Sequence, residues 1–259
     1  NGNYNGLQVA FQKRFSSGLE FQANYTYSKC MTNAVGYYGS AGQASTPDVY
    51  WPNAYDGESQ WGPCFFDATH AFNGYVIYDL PFGRGHELGQ NWNGFLNALA
   101  GGWQVNAIPS FHGGFPYTIA NFEDSSGTHS PQPRANCIAP GKVFGELGAP
   151  AGGYQWFDPN SYAAPSLGTF GNCGVGTIRG PGLSTVDLSL SKTFRFTERQ
   201  SLEFRVEAIN FTNTPVLNAP NTTVPAGPVS EGEFGNGNFG RVTGSQDARS
   251  IQFALKYHF

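Results

Sequence analysis

Near the end of the chain Glu203, Arg205 and Glu207 stand at alternate positions, with Asp187 and Arg195 on the segment before them. Alternate positions of a strand point to the same side, so the three charges share one face. Such a set makes either a polar wall able to contact a solute or a cross-strand ladder of ion pairs that supports a wet surface, and the weight falls on the ladder. Other chemistry is poorly supported. Gly235–Gly240 fits G-x-G-x-x-G, but no hydrophobic strand precedes it and no helix follows, so it reads as a flexible loop. H-E-x-x-H, P-loop and G-x-S-x-G patterns are absent. His70, His86, His112, His129 and His258 lie on separate segments without ligand spacing, and the acidic residues near Asp124 and Asp158 lack the order of a calcium loop. Neither enzyme activity nor a cofactor or metal is expected.

The cysteines fall as Cys30 with Cys64 and Cys137 with Cys173, each pair within one stretch between apolar segments. Disulfides closing long loops suit an oxidising compartment, whereas a thiolate metal site would want a C-x2-C spacing that is missing. Four cysteines allow three pairings, and sequence alone does not choose among them.

The elements that must carry these residues show a period of two. Seven segments alternate apolar and polar residues: about Tyr4–Phe15, Leu19–Lys29, Thr69–Leu80, Trp103–His112, Ser184–Phe196, Ser201–Phe211 and Arg249–Phe259. Pro109 cannot donate to a ladder, which predicts a bulge or an interruption in the fourth. A short helix or interfacial segment is expected near Phe95–Leu99, and the longest connection, about Gly113–Leu183, has no sustained period and reads as a structureless loop. The last segment sets Ile251, Phe253, Leu255, Tyr257 and Phe259 on one face, and Leu255, Tyr257 and Phe259 are expected to act as a membrane-insertion signal.

The connections run short, long, medium, long, short, long, so the long loops fall on one side of a sheet together with all four cysteines. That sidedness, and strands long enough at ~3.3 Å per residue and ~45° tilt to span about 25 Å, predicts an antiparallel transmembrane β-barrel. Composition agrees, with 12% charged residues, 39% hydrophobic, 35 glycines and mean hydropathy −0.34. Those proportions describe an apolar belt outside and a polar interior. The net charge of −4 with 14 Lys and Arg argues against nucleic-acid binding. No run of apolar residues approaches a membrane helix, which barrel strands do not need.

On this register Glu20, Asp79, Asp187, Arg195, Glu203, Arg205 and Glu207 line the lumen. Aromatics cluster at strand ends, as interfacial girdles do: Tyr25, Tyr27, Trp103, Phe194, Phe196, Tyr257 and Phe259. Lys13, Lys29 and Lys192 fall on the lipid-facing parity. The first two are near strand ends, but Lys192 stands nearer mid-strand and conflicts with the register. An odd strand count, and a start at Asn1 without an initiator Met, predict that the chain is the C-terminal part of a larger barrel. In the loops Trp51, Tyr55, Trp61, Tyr154 and Trp156, with Phe65, Phe66 and Phe157, either meet a ligand or pack the loops together.

A series of motifs then carries a resemblance: N-Y-N-G-L-Q (3–8), Y-T-Y-S-K (25–29), Y-D-L-P-F-G-R-G (78–85), G-G-W-Q (101–104), F-D-P-N-S-Y (157–162), T-I-R-G-P-G (177–182), V-D-L-S-L-S-K-T-F (186–194), L-E-F-R-V-E-A-I-N-F-T-N (202–213) and the closing A-R-S-I-Q-F-A-L-K-Y-H-F. Their order and spacing resemble the C-terminal barrel of TonB-dependent outer-membrane receptors, in the Oar-like branch whose members begin with a carboxypeptidase-regulatory-like domain. The resemblance implies a barrel of roughly 22 strands, plugged by an N-terminal domain and energised by TonB, importing a metal chelate, glycan or peptide. This chain departs from the pattern in showing no plug, no TonB-contacting box and fewer strands. Expected partners are outer-membrane lipid, the barrel-assembly machinery, TonB through a missing N-terminal region, and a solute. A non-transport surface or adhesion barrel and a secreted soluble β-sandwich binding module are the rival readings.

Overall fold

The computed structural model describes residues 1–33, 52–121, 123–129, 133–145, 154–224, 238–246 and 248–259. Among them are sixteen strands. In chain order these are β1 (Gly2–Ser16), β2 (Leu19–Thr32), β3 (Gly62–Pro63), β4 (His70–Asp79), β5 (Trp103–His112), β6 (Pro116–Tyr117), β7 (Ala120–Asn121), β8 (Asn136–Cys137), β9 (Tyr154–Gln155), β10 (Tyr162–Ala163), β11 (Ile178–Arg179), β12 (Leu183–Arg195), β13 (Ser201–Ile209), β14 (Thr223–Val224), β15 (Arg241–Val242) and β16 (Ser250–His258). The expected count of seven is therefore corrected. The seven alternating segments are the long strands, and nine two-residue strands lie in the connections, where so short a pairing leaves no periodic trace.

The long strands form one antiparallel sheet in the order β1-β2-β4-β5-β12-β13-β16, with β3 paired to the end of β2. It is an open sheet with β1 and β16 at its edges, and not the closed barrel that the alternation predicts. Ser17 and Gly18 form the two-residue turn between β1 and β2, both at positive φ (51° and 74°). The missing Cβ of Gly18 makes that conformation easy. Thr197 Oγ1 accepts from the Arg199 and Gln200 amides at 3.3 and 3.0 Å and fixes the turn into β13. At Pro109 the β4–β5 ladder is interrupted opposite Gly74 and Tyr75, while the register on either side is kept.

Parity is conserved across the sheet. Leu7 pairs with Tyr27, Tyr25 with Phe72, Phe72 with Phe111, Val105 with Leu190, Leu190 with Val206 and Val206 with Phe253, so one face is apolar from edge to edge. Apart from the short helix Gly94–Ala100 at one rim, no second layer covers that face among the described residues. Phe253 is 72% exposed and Phe259 95%, and the stacked rings of Tyr257 and Phe259 close the terminal strand. A face of this kind in water would drive aggregation.

The buried core lies elsewhere, in the long connections. Ile119, Ala135, Trp156, Phe157, Tyr162, Cys173 and Ile178 from the 113–182 connection pack with Val224, Phe239 and Val242 from the last one. The two-residue strands tie the same segments: β6 to β11, β8 to β10, β7 to β14 and β9 to β15. The β7–β14 pair is parallel, the exception to an otherwise antiparallel pattern among the described strands. The 113–182 connection is thus not structureless; its order comes from contacts between residues far apart in the chain. Phe157 is fully buried and meets Tyr162 and Phe239 edge-on. Phe157→Ala should destabilise this loop layer by about 3–5 kcal/mol. Limited proteolysis should then cut the loops, while the long strands of the sheet stay protected.

Candidate functional site

The polar face of the sheet is the first candidate, and it is built by the strands' alternate positions. Glu20 accepts from the Tyr75 hydroxyl at 2.9 Å, and Asp79 from Gln104 Nε2 at 2.8 Å. Asn24 donates to Asn73 at 3.1 Å further along the same face, beyond Tyr75. On β13, Arg205 donates to Glu203 and also meets Glu207 at 3.3 Å. These pairs run along one strand, not across strands as the ladder reading expects. The cross-strand ties come from β16: Gln252 donates to Glu207, and His258 lies 3.9 Å from Glu203. Asp187 stands apart from this group. Its carboxylate accepts the Asn210 amide at 2.8 Å and holds the chain where β13 ends, with Asn210 at positive φ. Arg195 has no ion-pair partner among the described residues. It lines a recess of about 350 Å³ near the short-turn end with Asp79, His86, Gln104, Ser191 and Thr193.

The second candidate is the loop layer at the other end of the sheet. Both expected disulfides are formed, Cys30–Cys64 and Cys137–Cys173. Asp67, whose side chain is 1% exposed, is the junction of the layer: it accepts the Cys30 amide at 2.7 Å and pairs with Arg179 at 2.5 Å. Arg179 also donates to the Gly114 carbonyl at 3.1 Å, and Arg134 to those of Ser59 and Cys173 at 2.9 and 2.8 Å. The first two long connections are joined in this way, and the shared core adds the third. Sequence reasoning did not single out Asp67, Arg134 or Arg179; Arg179 sits in T-I-R-G-P-G, a motif that signalled resemblance but not its partner.

The loop aromatics divide. Tyr55 is 99% exposed and Trp61 is also exposed, so both present rings to the outside. Trp156 is buried with its indole N–H donated to the Arg179 carbonyl at 2.7 Å, and Tyr154 packs beside it on the core. Of the two alternatives for the loop aromatics, these two take the packing one. Trp51 lies outside the described residues. Among the described residues no three His, Cys, Asp or Glu side chains converge as a metal site.

Lys192 resolves the conflict that its parity raised. It pairs with Trp103, the first residue of β5, so it stands at the rim and not at mid-membrane. Its ammonium donates to the carbonyls of Asn97 (3.1 Å), Ala98 (2.6 Å) and Gly101, at the end of helix α1 (Gly94–Ala100). A cation there complements the helix dipole and meets carbonyls of the last turn, of which Asn97's also accepts the Gly101 amide at 3.0 Å.

Residues 1–252 match the model of the outer membrane beta barrel domain family. The chain belongs to that family. Membership places it in the bacterial outer membrane. It also gives the apolar sheet face its solvent, hydrocarbon. No curated protein matches the chain, and no solved structure does.

Two outcomes follow from this geometry. Leu188→Arg, mid-strand on the lipid face, should lower stability by roughly 2–4 kcal/mol, whereas Ser189→Arg, opposite Glu207 on the polar face, should be nearly neutral. Urea titration of folding into lipid vesicles measures both. In the loop layer, burial pushes the Tyr117 and Tyr162 phenols above their ordinary value, with the Asp158 carboxylate adding to the effect at Tyr162. Unfolded loops would release these protons near pH ~10 while the folded layer keeps them. The contribution is therefore full below that pH and is lost as pH rises toward the folded values. Protease sensitivity of the loops should increase in that alkaline window, and Tyr162→Phe should reduce the increase.

Proposed function

We propose that the chain is part of the barrel of a TonB-dependent receptor that takes up a large solute, a metal chelate, glycan or peptide, and that it acts in transport and not in catalysis. The observation that carries the reading is the sheet itself: one face is apolar apart from lysines toward its rims, the other carries Glu20, Asp79, Glu203, Arg205 and Glu207, and both edges are open. In hydrocarbon an unpaired edge leaves backbone groups without partners, so further strands must complete it. At the roughly 22 strands that the receptor resemblance implies, the polar face would line a lumen wide enough to hold a plug. On this reading the short turns face the periplasm and the disulfide-bonded loop layer faces outward. The order of motifs from N-Y-N-G-L-Q to the terminal aromatic supports the receptor assignment. The partners would be outer-membrane lipid, the barrel-assembly machinery reading Leu255, Tyr257 and Phe259, TonB through an N-terminal region, and the solute.

A non-transport surface barrel is favoured by one feature, the closed core of the loop layer, which suits a rigid outward-facing surface. Planar-bilayer recording of the intact protein with the periplasmic domain of TonB separates the two. A plugged receptor should be closed at rest and bind that domain. A pore that conducts continuously, or an intact protein that does not bind it, would remove the transport reading.

A further inference from the structure

The connection from Pro81 to Gly102 is longer than a turn requires, and it folds onto the outside of the sheet. Lys192 and Trp103 are paired on the apolar face, and both reach helix α1: Lys192 through three carbonyls, Trp103 by donating its indole N–H to the Leu99 carbonyl at 2.9 Å. Trp103 also meets Phe204 edge-on, on the same face. The helix therefore sits on the lipid side of the strands and not in the lumen.

Its seat is built by the motifs P-F-G-R-G and G-G-W. A Cβ at Gly83 would lie 2.8 Å from the Cα of Gly101, and one at Gly101 would lie 2.9 Å from the Cα of Gly83, so glycine at both positions lets the two backbones touch. Asn93 caps the helix by accepting the Leu96 amide, and Asn97 Oδ1 accepts the Arg84 amide at 2.7 Å. With its polar ends so held, the helix turns apolar side chains away from the protein. Phe95 is 79% exposed and Leu99 63%, with Leu96 beside them. Positions 95 and 99 are one helical turn apart and so share a face.

We propose that α1 is a lipid anchor, with Phe95, Leu96 and Leu99 immersed among the phospholipids of the leaflet at the short-turn end. The occupant is lipid because the helix continues the face that family membership assigns to hydrocarbon, at the depth where strands give way to turns. The Lys192 ammonium is buried beneath it, which removes a cation that this rim of the apolar face would otherwise present to acyl chains. The inference rests on the barrel reading of the sheet.

The test uses the intact protein in phospholipid vesicles, with a spin label at Leu99→Cys. Leu255→Cys on the sheet and Tyr55→Cys in the loops serve as references, and Phe95→Cys as an independent second position. Collision with oxygen relative to a water-soluble nickel chelate should give a ratio at Leu99 within about twofold of that at Leu255. A ratio like that of Tyr55, with Leu255 still in lipid, overturns the anchor and leaves the barrel standing. Water-like ratios at both Leu99 and Leu255 overturn both. Spectral broadening at Leu99 that disappears on dilution with unlabelled protein would mean that a second copy covers the helix, and overturns the lipid assignment.

Discussion

Six ladders join the seven long strands, and each holds the same parity, so that Leu7 beside one edge and Phe253 at the other look out from one face. A slip of one residue in any ladder would turn every side chain beyond it to the wrong side. Glu203, Arg205 and Glu207 would then enter hydrocarbon while Phe204 and Val206 met water. Two-sided solvation thus fixes register more firmly than any single turn or ion pair. It also explains why charge is so sparse in the chain yet so regularly placed.

Two departures from plain alternation are accommodated without breaking it. Pro109 interrupts one ladder, but the pairs on either side of the gap remain in phase. Lys192 breaks the apolar parity, but at the sheet rim, where a helix end supplies three oxygens. The Trp103 and Phe194 rings lie 5.6 and 5.1 Å from the same ammonium and shield it further. A charge on the lipid face becomes tolerable once its whole coordination is protein.

Much of the sheet was legible in the residues because strand alternation is a local signal. The seven long strands, the sidedness of the connections, the Gly18 turn and the helix near Phe95–Leu99 all rest on patterns a few residues wide. The loop layer was not legible, since its contacts join Asp67 to Arg179 and Phe157 to Phe239 with no period between them. For the same reason the residues left open whether Trp156 meets a ligand or packs the loops, and Lys192 read as an anomaly. The charged triad was placed on one face by spacing, but spacing could not say that Arg205 would pair along its own strand and leave Asp187 to secure a turn. Nor could a two-residue strand announce itself.

The outer layer, with its shared core, its two cross-links and the acid at Asp67, has a thermodynamic corollary. Loops that wave freely must surrender their freedom to whatever they seize, which weakens the grip. Here much of that surrender has been completed during folding, before any visitor arrives. A molecule that landed on the described part of this layer would meet a landscape already set, and its residence there would depend more on fit than on coaxing the chain into shape.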